Sequence, residues 1–295
     1  MPKNRFLLST NSGLYSARPG QPRLDMLETL DFLARVGFEG VDVNFTGTIL
    51  PGEFIHEPVL DGDSWRERIA GVKARAEQLG LKIVYSHAPY HNKYNREAPD
   101  FPMCDEMMHR SIEATALLGG SHVVVHPVVS ADRTVTLAEE TVRAVEPLAR
   151  YGERFGVRLA VENMRSTYPE MLAEIADRAG TDVCWDVGHA NILSLNQEES
   201  LTALGSRVKV LHIHDNYGPR GGNPSPVGPT FCDLHQPPFL GTVDWDSFLR
   251  GLERIGYDGA FNYEIQSAKL PMNVREDLAR YLVHAAEELM SRIRI

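Results

Sequence analysis

The stretch AGTDVCWDVGHAN, residues 179–191, carries the plan of the whole chain. A glycine closes a helical pattern, a short apolar run begins, and the run ends on polar residues able to ligate a metal or move a proton. Glycine just past a helical pattern supplies the left-handed residue that stops a helix. A short continuous apolar run is what a strand covered on both faces requires. The same unit recurs in VGFEGVDVN (36–44), LGLKIVYSHAPY (79–90), LGGSHVVVHPV (118–128), FGVRLAVENM (155–164), SRVKVLHIHDN (206–216) and IGYDGAFNYEI (255–265). With RFLLST at 5–10, there are eight apolar runs.

The segments between these runs read as helices. Leu278, Tyr281, Leu282, Ala285 and Leu289 form an apolar stripe at helical spacing. Ser64 with Glu67, Thr136 with Glu139 and Thr167 with Glu170 have the spacing of capping boxes. Eight strands alternating with helices predict a parallel sheet, and closing it removes its edges. The expectation is an α/β fold: a single (β/α)8 TIM barrel spanning 1–295, with an extended loop after the seventh strand at 216–241. A loop of that length in a compact domain is usually functional.

Composition narrows the function. Thirty Lys and Arg stand against 40 Asp and Glu, a net charge of −10. A duplex-binding protein needs a basic stripe to displace counterions, and the sequence has none, so nucleic acid is disfavoured as a partner. Cys104, Cys184 and Cys232 are distant from one another and form neither a disulfide framework nor a metal knuckle. No apolar stretch approaches the roughly 18 residues of a membrane span. The expectation is a reduced cytoplasmic protein without a membrane partner.

Barrels of this kind build their sites at the C-terminal ends of the strands. There the runs end in His87, His126, Glu162-Asn163, Asp186 followed by His189, His212-Ile213-His214-Asp215, and Glu264. Residues two apart on a strand share a face, so His212 and His214 point the same way, His214 nearer the mouth. Any one of these alone is more often a satisfied structural residue. Together they carry chemistry, because carboxylates converging on one rim repel each other unless a cation joins them. Glu162, Asp186, His214 and Glu264 make an O,O,N,O set suited to one divalent ion, Mn²⁺ or Mg²⁺. Adding His87 and His126 strengthens the case for Zn²⁺ or for more than one ion.

The pieces VEN (161–163), WDVGHAN (185–191), HIHDN (212–216) and DLHQPPFLGTVDW (233–245) resemble the xylose-isomerase-like barrel superfamily, which joins sugar isomerases and epimerases to AP endonuclease family 2. The resemblance implies Glu162, Asp186, His214 and Glu264 as metal ligands and His189 and Arg220 as substrate-binding residues. The substrate set is completed by His87, His126, Asp233 and His235. It also implies a metal-dependent isomerase or epimerase of a small sugar, polyol or keto-sugar. Glu162 and Glu264 would transfer the proton through an enediolate that the metal stabilises. A homo-oligomer is compatible with it. Two alternatives share the ligands: a keto-inositol or sugar dehydratase, and an endonuclease-IV-like zinc phosphodiesterase acting on abasic DNA. In the latter, His87, His126 and Glu162 would hold one ion, Asp186, His214 and Glu264 a second, and His189, Asp233 and His235 a third. The acidic balance and the ENMRST continuation after the fifth strand stand against the endonuclease.

Overall fold

The computed structural model describes residues 6–15, 25–46, 58–89, 100–128, 134–164, 166–220, 233–265, 267 and 270–293. Eight strands run in chain order: β1 (Leu8–Asn11), β2 (Gly40–Asn44), β3 (Lys82–His87), β4 (His122–Val125), β5 (Arg158–Glu162), β6 (Asp182–Asp186), β7 (Val208–His212) and β8 (Phe261–Tyr263). They form one sheet in the order β7-β6-β5-β4-β3-β2-β1-β8, and every described strand pair is parallel. The two ends of that order meet. A parallel bridge joins Ile213 to Tyr263, with Ile213 N donating to Asn262 O at 3.0 Å and Glu264 N to Ile213 O at 3.1 Å. The sheet is therefore a barrel, closed between β7 and β8, as the eight repeated runs predict.

Helices α1 (Met26–Val36), α2 (Trp65–Leu79), α3 (Phe101–Leu118), α4 (Leu137–Glu153), α5 (Pro169–Ala179), α6 (Val187–Ile192), α7 (Gln197–Leu204) and α8 (Trp245–Ile255) lie between the strands, and α9 (Met272–Ser291) follows β8. Gly80 and Gly180 end α2 and α5 at φ of 72° and 68°, a conformation costly for any residue with a side chain. Thr136 caps α4 by accepting from Glu139 N at 3.2 Å. The other two expected caps differ. Ser64 precedes α2 but makes no cap bond; its hydroxyl accepts from Arg68 instead. Helix α5 starts at Pro169 with Tyr168 before it, because proline suits the first helical position, so Thr167 lies one residue too early. A full capping box does form at Asp25 with Glu28.

Strand alternation divides the apolar residues in two. Outward side chains such as Val161, Val183, Trp185 and Leu211 join the helices in one large core. Burying each such side chain contributes about 1.5–3 kcal/mol. Trp185 faces outward as expected, its Nε1 donating to Gln197 Oε1 at 2.8 Å. A smaller cluster fills the barrel: Tyr85, Val124, Ala160, Cys184, Val210 and Ala260. Two residues further along these strands stand His87, His126, Glu162, Asp186 and His212, and Glu264 stands four residues beyond Ala260. The apolar layer is thus a floor, and the polar residues stand on it at the C-terminal rim.

Candidate metal centre at the C-terminal rim

Glu162, Asp186, His212 and Glu264 end β5, β6 and β7 and follow β8, and their ligating atoms lie within 4.8 Å of one another. His212 Nδ1 is 3.3 Å from Glu162 Oε1 and 3.2 Å from Glu264 Oε2, yet it makes no hydrogen bond. Three of the four expected ligands come together, and the imidazole among them is His212, not His214. Strand β7 ends at His212, which holds that ring over the floor. His214 lies beyond the strand, its ring stacked on His235 with centroids 4.0 Å apart. It still touches the quartet, Nε2 standing 3.1 Å from Asp186 Oδ2. Gly188 leaves the room for it: a Cβ there would lie 2.0 Å from His214 Cε1.

Two further groups adjoin the first. His87 Nε2, His126 Nε2 and Glu162 Oε2 meet at 3.1–3.4 Å. His189, His214, Asp233 and His235 form the other, with Asp233 Oδ2 3.1 Å from His189 Nε2 and Oδ1 3.3 Å from His235 Nε2. Glu162 thus belongs both to the quartet and to the His87–His126 group. His235 has a positive φ of 45°, uncommon for a residue with a side chain. It is held by the Asp215–Gln236 backbone pair beside it and by its own Nδ1 donating to Glu264 O at 2.8 Å. Asp215 braces the same segment, accepting from Gly241 N and Val243 N at 3.0 and 3.1 Å.

The outer shell is ordered too. Asn163, which the sequence reading left without a role, clasps the Asp186 backbone on both sides, accepting from N at 2.5 Å and donating to O at 2.8 Å. Asp186 Oδ1 accepts from His189 N at 2.6 Å and so starts α6. Arg220 closes a short turn from Gly218, but its side chain lies outside the described residues. Tyr168 and Tyr217 are exposed.

Electrostatics agree with a cation site. Burial pushes the Glu162 and Glu264 carboxyls up, but His212 and neighbouring rings more than reverse this and hold both well below the usual range. Burial lowers the His235 ring, and Asp233 outweighs it, raising the ring to about 9. His189 and His212 are raised well above the ordinary imidazole value against the opposing effect of burial, His189 by carboxylates and His212 by Cys184 and carboxylates. In the protein alone, ring protons thus balance buried carboxylates. A divalent ion would take over that role and release them. The donor set and the unbonded His212 Nδ1 fit such an ion.

A parallel eight-stranded barrel with carboxylates and imidazoles gathered at its C-terminal rim is the architecture in which sites are built at the strand ends. More narrowly, residues 30–287 match the family described as "Xylose isomerase-like TIM barrel", and the chain belongs to that family. Among curated relatives, a probable endonuclease 4 from Geobacillus sp. (strain WCH70) is 30% identical over 178 residues, 50% of this chain and 56% of that protein. The chain spans about half to two thirds of the length of the first curated relatives it matches. Among solved structures, a D-allulose 3-epimerase from Methylomonas sp. is 17% identical with a TM-score of 0.70, covering 97% of this chain and 98% of that one. An L-ribulose 3-epimerase is 16% identical with a TM-score of 0.70, covering 97% and 95%. Among the described residues no helix is long and apolar enough to cross a membrane.

Proposed function

We propose that the protein is a divalent-metal-dependent isomerase or epimerase of a small carbohydrate. The observation that carries this reading is the convergence of Glu162, Asp186, His212 and Glu264 within 4.8 Å on an apolar floor. A bound divalent ion would supply positive charge for substrate oxygens and for the negative charge that develops as a C–H proton leaves. Glu162 and Glu264 are charged bases, each with a carboxylate oxygen within 3.3 Å of His212 Nδ1. One carboxylate takes the proton from the carbon beside a carbonyl, and the other, having taken up a proton from solvent, returns it to the opposite face. His87 and His126, with His189, Asp233 and His235, flank that position and orient hydroxyl groups. Burial of these rings keeps water from competing.

A second reading has a specific observation in its favour. The His87–His126–Glu162 group and the His189–His214–Asp233–His235 group are donor sets for additional ions. A multi-metal phosphodiesterase would use them, although the net charge of −10 suits a phosphate-tracking surface poorly. Metal content of the purified protein, followed by solvent deuterium incorporation into a panel of ketoses and keto-inositols, separates the two. Exchange at a carbon next to a carbonyl supports the first reading. Absence of exchange, together with about three zinc ions per chain and cleavage of an abasic duplex, would replace it with the second.

A further inference from the structure

The segment 233–243 carries Asp233 and His235 onto the rim, and it contains two residues with positive φ, His235 at 45° and Phe239 at 70°. That region favours glycine, and a side chain stays there only where its surroundings dictate it. His235 has such surroundings. Its Nδ1 donates to Glu264 O, as His87 and His189 donate to Ala88 O and Asn163 O, each at 2.8 Å. The flanking backbone is tied to the two residues Asp215 and Asn216. Gln236 pairs with Asp215, Gly241 N and Val243 N donate to the Asp215 carboxylate, and Thr242 N donates to Asn216 O at 2.8 Å.

Phe239 lies at the tip between these two anchorages. Leu240 N donates to Pro237 O at 3.3 Å, so Pro237–Leu240 is a turn with Pro238 second and Phe239 third. A turn with proline second and a positive φ third is of type II, and glycine fits that third place without strain. Phenylalanine is unfavourable there unless its ring gains something glycine cannot supply. Phe239 remains 39% exposed, so it is no core residue. Its ring instead meets two outer helices. Trp245, the first residue of α8, lies with its ring centroid 6.0 Å away, and the Arg292 guanidinium carbon stands 5.6 Å from the Phe239 centroid. Arg292 follows α9 and is held by Glu288 at 2.8 Å. From the same helix, Tyr281 Oη donates to Pro238 O at 2.8 Å.

We propose that Phe239 is a positioning residue: its ring keys the 233–243 segment to α8 and α9 and so holds Asp233 and His235 in place over the rim. The strained turn aims the ring, and aromatic and cation–π contacts retain it. The inference rests on the reading that Asp233 and His235 orient substrate hydroxyls.

The test compares the wild type with Phe239→Gly and Phe239→Tyr. Glycine removes the strain together with the ring and leaves the fold intact, whereas tyrosine keeps the ring. Hydrogen–deuterium exchange is followed by mass spectrometry in peptides covering 233–243, with β5 as the internal reference. KM and kcat are measured with D-fructose as the probe ketose. In Phe239→Gly, exchange across 236–243 quickens about tenfold while β5 is unchanged, because the segment opens locally. KM rises about tenfold with kcat within about twofold, since the hydroxyl-orienting groups are misplaced and the proton-transferring carboxylates are not. Phe239→Tyr keeps both at wild-type values. Unchanged exchange across 236–243 in Phe239→Gly, or faster exchange with an unchanged KM, overturns the proposal. If the wild type does not act on D-fructose, the functional reading fails separately for that sugar. The exchange rates then decide alone: quickening confined to 233–243 supports the positioning role, and no change refutes it.

Discussion

The two ends of the barrel hold the same kinds of side chain in opposite states. At the N-terminal end, His122, Arg158 and Asp182 are the first residues of β4, β5 and β6. Asp182 accepts from Arg158 Nη2 at 3.2 Å and from His122 Nε2 at 3.1 Å, with Arg158 Nε also donating to it. That carboxylate is balanced by a permanent cation. At the C-terminal rim, the ion-pair partners of Glu162, Asp186, Asp233 and Glu264 among the described residues are imidazoles. An arginine makes a finished ion pair, whereas a ring of histidines can give up its protons to an incoming ion. The lower end is built for stability and the upper end for exchange.

The largest effect expected from breaking this contrast is at Glu264. Glu264→Gln keeps the shape and removes the base, so deuterium exchange into substrate falls by about 10³-fold, within the range for a lost acid–base group. Circular dichroism remains native; activity near that of the wild type would remove Glu264 from its role. Next comes Gly188→Ala. Its new Cβ meets the His214 ring at 2.0 Å, so either that ring or the start of α6 must shift, at a cost of about 1–3 kcal/mol. Calorimetric metal binding and urea unfolding both weaken; a native midpoint with intact binding would show that the ring has room to move.

Chelation sharpens the comparison. Because an ion binds the folded rim and not the open chain, metal at about 100 times its dissociation constant stabilises by about 2.7 kcal/mol. Thermal unfolding with and without chelator should show that difference in the wild type and in Asp182→Asn alike.

The smallest effect is at the lower end. Burial pushes Asp182 up, but His122 and Arg158 outweigh it and leave its carboxyl below the ordinary value. A depressed carboxyl contributes stability above its unfolded value, near 4, and loses it as pH falls through the folded value. Asp182→Asn therefore costs about 1 kcal/mol at pH 7, limited by the half-exposed arginine, and the deficit shrinks below about pH 4. Urea unfolding at both pH values measures it; a deficit that grows in acid would contradict the pairing.

Much of this was legible because strand ends announce themselves. The apolar run before each polar residue specified both the barrel and which residues stand at its rim, including Glu162, Asp186 and Glu264. That His212 rather than His214 stands against Glu162 and Glu264 was not legible. Two residues on one face of one strand differ only in height, and where β7 stops is set by its closure onto β8. Asp42 ended the second run and had no partner in the sequence, since its neighbours Asn11, His212 and Asn262 come from other strands. Asn163 was visible inside VEN, but its grip on the Asp186 backbone arises only from adjacent strands.

The peptide oxygens behind His87, His189 and His235 have an evolutionary consequence. A main-chain acceptor is present whatever residue supplies it, so point substitutions at Ala88, Asn163 or Glu264 cannot delete it. The aim of those three rings is inherited with the path of the chain, and changes to it must come through insertions, deletions or shifts of that path.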